Sequence, residues 1–351
     1  MTISLPLFRM RPARKKRVTM GPFDLHRPTD LNEAISLNAH SGRTDVLSAF
    51  IAGGTDMVQL LQENVLQPRR LVSLCGLLDE GIHMEAHELR LGAAATMAKV
   101  AAHPDVLLHY SLIAEAILNS ASPQVRNQAT IAGNLLQRTR CPYFRDVGYE
   151  ACNKRNPGSG CAAIGGENRW HAILGASESC MAVHASDLAV ALVALDASVS
   201  LLGPKGQRHV NLGEMYQLPG DTPHIEADLK PGEIITAITV PRYAAGVQCS
   251  YIKVRDRASF EFAVVSAAVA LDIKGRQIRD ARIAVGGVAT RPWRLPQVEA
   301  KLKAAHLDIN ALDAAAEAAT QGARGQGHNE YKIELMKRAV RRALETAGGF
   351  R

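Results

Sequence analysis

No apolar run in this sequence approaches the roughly 20 residues that span a bilayer, and no stretch joins a basic start to an apolar core and a cleavage site. The expectation is a soluble chain without an export signal of its own. A twin-arginine leader fits poorly as well, because Val18-Thr19-Met20-Gly21-Pro22-Phe23-Asp24 stands where its apolar stretch belongs. Also missing are an internal repeat, the G-x-G-x-x-G dinucleotide fingerprint, the C-x2-C pairs of zinc ribbons and both ferredoxin cysteine spacings. No Ser-His-Asp arrangement, carboxylate pair or metal-binding histidine pair stands out, so no general base is assigned.

What is present is a globular composition: 351 residues, 47% hydrophobic and 21% charged, enough for two or three domains. The net charge of +7 suggests nucleic acid, but Arg9, Arg11, Arg14, Lys15, Lys16 and Arg17 carry six of those charges in a short tail. The body is therefore near neutral, and residues 1–19 read as a solvated, disordered extension with ordered protein from about Met20. Neither a nucleic-acid partner nor a membrane span is expected.

Beyond Met20, short apolar strands alternate with amphipathic helices, at 31–37, 46–52 and 56–61, which reads as α/β or α+β. Residues 188–195 read as a helix and 197–202 as a strand. A Pro- and Gly-rich passage, Pro219-Gly220-Asp221-Thr222-Pro223 and Pro231-Gly232, leads to a strand at 234–240 and a domain boundary near residue 243. Strands at 248–254, 263–273 and 278–285 follow. An Ala-rich helical region begins at Pro296 and breaks at 322–327.

Two glycine loops carry the chemistry. In Phe50-Ile51-Ala52-Gly53-Gly54-Thr55-Asp56-Met57 an apolar strand ends in adjacent glycines before a helical pattern. The glycines let the backbone approach an anion, the following N–H groups point at it, and Thr55 adds a hydroxyl. Thr130-Ile131-Ala132-Gly133-Asn134 is a second loop of the same style, so the pair could grip one diphosphate from two sides. Asp187 in Ser186-Asp187 could accept from a ribityl or ribose hydroxyl, although alone it would read as a helix N-cap. Together these features favour a flavin dinucleotide.

Four cysteines follow the second loop, as Cys141-x10-Cys152-x8-Cys161-x18-Cys180. Their spacing is unspecific, but the intervening Asn153-Lys154-Arg155-Asn156-Pro157-Gly158-Ser159-Gly160 and Gly165-Gly166 are turn-forming and too irregular to build a core. Something must hold this segment together: a 4Fe-4S cluster, a structural zinc, two disulfides or plain thiols remain open. His171 and His184 flank Cys180 and could replace a thiolate, which four cysteines make unnecessary. Cys75 and Cys249 read as buried thiols.

The ordered set of motifs resembles the FAD-binding medium subunit of molybdenum hydroxylases, the xanthine dehydrogenase and carbon monoxide dehydrogenase family, from about Met20 to Ala347. It rests on Pro22-Phe23, Arg27-Pro28, the two glycine loops, Leu91-Gly92-Ala93, Gln124-Val125-Arg126-Asn127 and Ser186-Asp187-Leu188. Pro231-Gly232-Glu233-Ile234-Ile235, Tyr251-Ile252-Lys253, Arg257-Ala258-Ser259-Phe260 and Gly286-Gly287-Val288-Ala289 extend it. Most members pass almost directly from the Gly-Asn loop to the Ser-Asp motif. The intervening segment here, with Leu135-Leu136-Gln137-Arg138-Thr139-Arg140-Cys141-Pro142-Tyr143-Phe144 and Cys152-Asn153-Lys154-Arg155, resembles the bacterial periplasmic aldehyde oxidoreductase branch.

The resemblance implies an α+β chain. Its FAD-binding domain (20–243) would be of the vanillyl-alcohol-oxidase (PCMH) type, two α/β subdomains with an iron-sulfur insertion at about 138–183. A C-terminal flavoprotein domain (244–351) would hold a three-stranded sheet and a helical bundle. FAD would be held by the loops at Phe50, Ile51, Ala52, Gly53, Gly54, Thr55, Asp56 and Met57 and at Thr130, Gly133 and Asn134, with Asp187 on a hydroxyl. Phe262 or Val265 would cover the ring, and Lys253, Arg255 and Arg257 would either stabilise reduced flavin or form a solvated face.

By the same resemblance Cys141, Cys152, Cys161 and Cys180 become ligands of a 4Fe-4S cluster. Asn134 and Cys141 are close enough in sequence, at most about 24 Å fully extended, to make cluster and flavin neighbours. A large subunit with the molybdenum cofactor and a small subunit with two 2Fe-2S clusters would complete a heterotrimer that oxidises an aldehyde. The compartment stays open between cytoplasm and a periplasm reached with a partner. A stand-alone flavin oxidoreductase and a zinc-stabilised interaction subunit are the alternatives.

Overall fold

The computed structural model describes residues 20–39, 47–244 and 246–350; the expectations for the basic tail and for a strand start at residue 46 fall outside them. A small parallel sheet comes first, with Arg70–Ser73 between Asp24–His26 and Ser48–Ile51. Parallel neighbours need crossover connections, supplied here by the helices Leu31–Asn38 and Met57–Gln62. The first of these begins where Asp30 accepts from Glu33 N–H at 2.9 Å, while the Glu33 carboxylate reaches back to Thr29 N–H at 2.7 Å.

The second sheet is antiparallel, in the order Ile82–Met84, Glu88–Gly92, Ile234–Pro241, Ser198–Gly203, Gly206–Asn211. Its core is the largest in the chain and is closed by the helices Met97–Ala102, Ser111–Asn119 and Asp187–Ala194. All eight residues of Asp187–Ala194 are buried, in keeping with a sequence that is apolar on every face after Asp187. Its N-cap is Ser186, which accepts from Ala189 N–H; Asp187 is the first helical residue.

The C-terminal sheet runs Gln248–Val254, Val265–Lys274, Gln277–Gly286 and then Trp293–Arg294, all antiparallel. The expected three strands are present, and the two-residue Trp293–Arg294 adds a fourth that propensity alone could not signal. Over this sheet lie the helices Pro296–Leu302, Ile309–Ala318 and Tyr331–Ala347. The last buries Met336, Ala339, Val340, Ala343, Leu344 and Ala347 on one face, and Lys332 falls in the same stripe.

Between the second glycine loop and Ser186 the chain has little regular structure. One helical turn, Pro142–Arg145, and an isolated antiparallel bridge between Cys152 and Cys161 are its main ordered pieces. Gly158, Gly160, Gly165 and Gly175 all take left-handed φ there, as a succession of tight turns requires. Among the described residues no helix is long and apolar enough to cross a membrane.

Candidate functional site

The two glycine loops meet back to back. A Cβ on Gly53 would stand 1.9 Å from the Gln128 carbonyl oxygen, two residues before Thr130, so only glycine permits the approach. Gly54 sits at φ 73°, the left-handed region. Among the described residues the N–H groups of Gly53, Gly54, Thr55 and Asp56 donate to no protein acceptor, and so face outward as an anion-binding turn does. On the other loop, Thr130 Oγ1 accepts from Gly133 N–H at 3.1 Å and starts the short helix Ile131–Leu135.

Two hollows open on these loops, of about 210 Å³ and about 270 Å³, meeting along Thr55, Asp56, Gly133 and Gln137. Phe50, Ile51, Ala52, Gly53, Gly54, Met57 and Thr130 line the first. Asn134, Asp187, Lys253, Phe260 and Phe262 line the second. Their combined size lies in the range of about 300–1,000 Å³ that small-molecule sites occupy. Ala121 (φ 42°) and Phe260 (φ 54°), two non-glycine residues in the left-handed region, stand on the rim of the second hollow.

The residues expected to bind the cofactor divide into groups. The Phe50 to Met57 loop, Thr130, Gly133 and Asn134 all reach the hollows. Asn134 does so as a strut, its Oδ1 accepting from Ser186 Oγ at 2.6 Å. Asp187 lies on the floor with its oxygens already engaged, by Tyr251 Oη at 2.7 Å and Lys253 Nζ at 2.8 Å. Burial lifts this carboxyl above its ordinary value against the pull of Lys253 and Tyr251. Lys253 is therefore not a solvated charge; its side chain is 1% exposed. Arg257, at 65%, is the solvated member of that triplet.

Phe262 reaches the wall, with the Arg140 guanidinium 4.8 Å from its ring centre. Val265 does not: it is fully buried in the C-terminal core at the start of Val265–Lys274, paired with Val254. Its side chain packs under the sheet because alternate strand residues point to opposite faces, and a covering role is thereby corrected.

Asp56 ties this site to the cysteine segment. Instead of capping its own helix, it accepts from Arg138 N–H and Arg145 Nη2 at 2.8 Å and pairs with Arg140 Nη2 at 2.9 Å. Sequence reading gave Arg138, Arg140 and Arg145 no role, and three arginines around a cysteine just after the second glycine loop were the available signal.

All six cysteines are free thiols. Cys75 is exposed, against expectation, and Cys249 half-buried. Cys141, Cys152, Cys161 and Cys180 come together: burial pushes the Cys141 thiol up to about 12, with Cys180 and Cys152 adding to the rise, and Cys180 in turn feels Cys161 and Cys152. Arg155 holds the turn by donating to the Tyr143 and Phe144 carbonyls at 2.8 Å. Asn153 donates to Ser179 O at 3.0 Å and accepts from Gly160 N–H at 2.8 Å. Of the flanking histidines, His171 Nε2 lies 3.2 Å from Cys141 Sγ, whereas His184 packs edge-on against Tyr216.

A third hollow of about 260 Å³ borders Cys180 and is lined by Arg138, Lys154 and Glu226. Burial would raise Glu226, but Arg138 and Lys154 outweigh it and hold the carboxyl down to about 2. Among the described residues no three His, Cys, Asp or Glu side chains converge as a site for one metal ion would require.

Comparison with known proteins accounts for nearly the whole chain. Residues 21–243 match the FAD binding domain in molybdopterin dehydrogenase, and 250–347 match the CO dehydrogenase flavoprotein C-terminal domain. The chain is 44% identical to the aldehyde oxidoreductase FAD-binding subunit PaoB of Escherichia coli, over 85% of this chain and 91% of that protein. It is 28% identical to the carbon monoxide dehydrogenase medium chain of Afipia carboxidovorans, over 93% and 97%. A solved carbon monoxide dehydrogenase from Hydrogenophaga pseudoflava superposes with a TM-score of 0.73 at 25% identity, covering 94% of this chain and 99% of that one. With its glycine-loop hollows and its α+β architecture, the chain belongs to the FAD-binding medium subunits of the xanthine and carbon monoxide dehydrogenase family, oxidoreductases of the molybdenum hydroxylase type.

Proposed function

We propose that this chain is the FAD and 4Fe-4S electron-transfer subunit of a heterotrimeric molybdenum-containing aldehyde oxidoreductase. Its partners are a large subunit with the molybdenum cofactor and a small subunit with two 2Fe-2S clusters. Bound FAD supplies the electron storage; the residues of this chain bind, orient and shield it. The free N–H groups of the first loop and the Thr130 to Asn134 loop hold the pyrophosphate. Asp187, fixed by Tyr251 and Lys253, offers a remaining lone pair to a hydroxyl, and Phe262 covers part of the second hollow. Residues 20–243 act as the FAD-binding domain and 244–351 as the C-terminal domain that closes over it.

One observation carries the iron-sulfur part: four free cysteines gathered in a segment with almost no regular structure, clamped by Asp56 to the flavin site. The segment has only a small core of its own, Tyr143, Ala163 and Met181 with Cys141 and Cys161 against it, and a bound inorganic group would add order to it. Zinc, with Zn–S of about 2.3 Å, draws its four sulfurs to within about 4 Å of one another, closer than a larger cluster does. Zinc and a cluster are therefore told apart by analysis of the bound metal. The aldehyde rests on the 44% identity to PaoB, since substrate chemistry belongs to the large subunit.

The absorption spectrum of the purified protein tests the reading. Flavin bands over a broad visible shoulder that bleaches with dithionite are expected; flavin bands alone favour a stand-alone flavoprotein, and no visible colour a zinc-stabilised subunit. Cys161→Ser is expected to lose iron and keep FAD, and full iron content in that variant refutes the ligand assignment.

A further inference from the structure

The four cysteines are not equivalent. Only 3.2 Å separates Cys141 Sγ from His171 Nε2, and His171 is 2% exposed. The backbone carrying this imidazole is anchored from the other domain. Lys332 Nζ, fully buried, donates to the carbonyls of Trp170 at 2.9 Å, His171 at 3.1 Å and Gly287 at 2.7 Å. Those three acceptors match the three N–H donors of an ammonium. Asn329, also fully buried, donates to Ala172 O at 3.0 Å and accepts from Gln326 N–H at 2.7 Å. Asn168 Oδ1 accepts from His328 N–H at 2.9 Å on the same seam.

Two buried polar side chains on or beside Tyr331–Ala347 thus grip the peptide that carries His171 and tie it to Gly287 and Gln326 of the C-terminal part. Burying a lysine for packing alone would be costly, and a hydrocarbon side chain would fill the same stripe. The expense is understandable if the position of the imidazole matters.

We infer that His171 donates a hydrogen bond from Nε2 to the Cys141 thiolate of the bound cluster, with Lys332 and Asn329 as the residues that position it. The inference rests on the 4Fe-4S reading above. A hydrogen bond to a ligand sulfur withdraws charge, favours the reduced cluster and raises its reduction potential. His171 is then a positioning and tuning residue, not a fifth ligand. His184 has no such contact, because its Nδ1 accepts from Ser186 N–H at 3.3 Å and its ring lies on Tyr216.

The test uses the assembled complex, labelled with ¹⁵N-histidine. Iron analysis comes first, and absence of iron overturns the cluster reading itself. In the iron-loaded, reduced wild type, pulsed EPR is expected to find a weak coupling to one histidine nitrogen. His171→Phe is expected to lose that coupling and shift the cluster midpoint to more negative potential with iron per FAD unchanged, and His171→Gln to recover part of the shift. Lys332→Met is expected to weaken the coupling with iron retained. No histidine coupling in the iron-loaded wild type, or a coupling of direct Fe–N strength, overturns the inference. That measurement stands even where a variant fails to assemble. An unchanged midpoint in an iron-loaded His171→Phe complex overturns it equally.

Discussion

Gly53 carries the sharpest steric demand in the flavin site. Its missing Cβ would fall 1.9 Å from Gln128 O, which is backbone and cannot swing aside, so Gly53→Ala must force the two glycine loops apart. FAD released by denaturation from the purified variant is expected to fall well below one per chain; a full complement would refute the close-approach argument. Asp187 and Lys253 form the buried charge pair at the floor. Lys253→Met leaves the carboxylate with Tyr251 as its one side-chain donor, and loss of one partner of a buried pair typically costs about 3–5 kcal/mol. Thermal melting should show this loss, and Asp187→Asn combined with Lys253→Met should restore part of it.

The Gly-Gly-Thr-Asp loop could be read from sequence because its chemistry is local, a strand end, two glycines and a hydroxyl. The role of Asp56 was not, since its partners lie 82 to 89 positions further along the chain. Lys332 left a fainter signal, a cation in phase with Met336, Ala339 and Val340 on an otherwise apolar helix face. Val265 was misread because neighbouring strand residues alternate faces, and sequence alone did not say which face met the hollow.

At the scale of elements, the strands and helices of both cores were legible because their residue pattern matches their burial, as in residues 188–194, apolar throughout and all buried. The cysteine segment was visible as irregular but not as a docked layer, because it is held by side chains distant in sequence. Glu226, Arg138 and Lys154 form one such tie. The Glu226 carboxyl drops from 4.5 to about 2 on folding, so its contribution is present above about pH 4.5 and is lost as pH falls toward 2. The resulting loss is on the order of 2 kcal/mol for a group that keeps some exposure. Acid melting curves of wild type and Glu226→Gln should converge at the low end of that window and separate above it; parallel curves throughout would contradict the tie. On the opposite side of the segment, Asn329→Ala removes a donor to the Ala172 carbonyl and is expected to speed proteolytic cleavage within residues 146–166 without loss of FAD.

For the molecule as a whole, two features fix the account: hollows walled by glycine loops from both parts of the FAD-binding region, and a cysteine layer wedged between that region and the C-terminal helices. Asp56 joins the layer to the first; Lys332 and Asn329, together with Asp256 just after the strand Gln248–Val254, which pairs with Arg169 at 2.7 Å, join it to the C-terminal part. Deleting residues 1–19 is expected to leave FAD content and assembly unchanged, since every residue assigned to the site lies after them in the chain; loss of either would give the tail a structural role. Above all, flavin and iron-sulfur centre are proposed to share this one chain. Metal and flavin analysis of the chain purified without its partners tests it most directly. One FAD with about four irons and negligible zinc is expected, whereas one FAD without iron, or with a single zinc, would refute a shared chain.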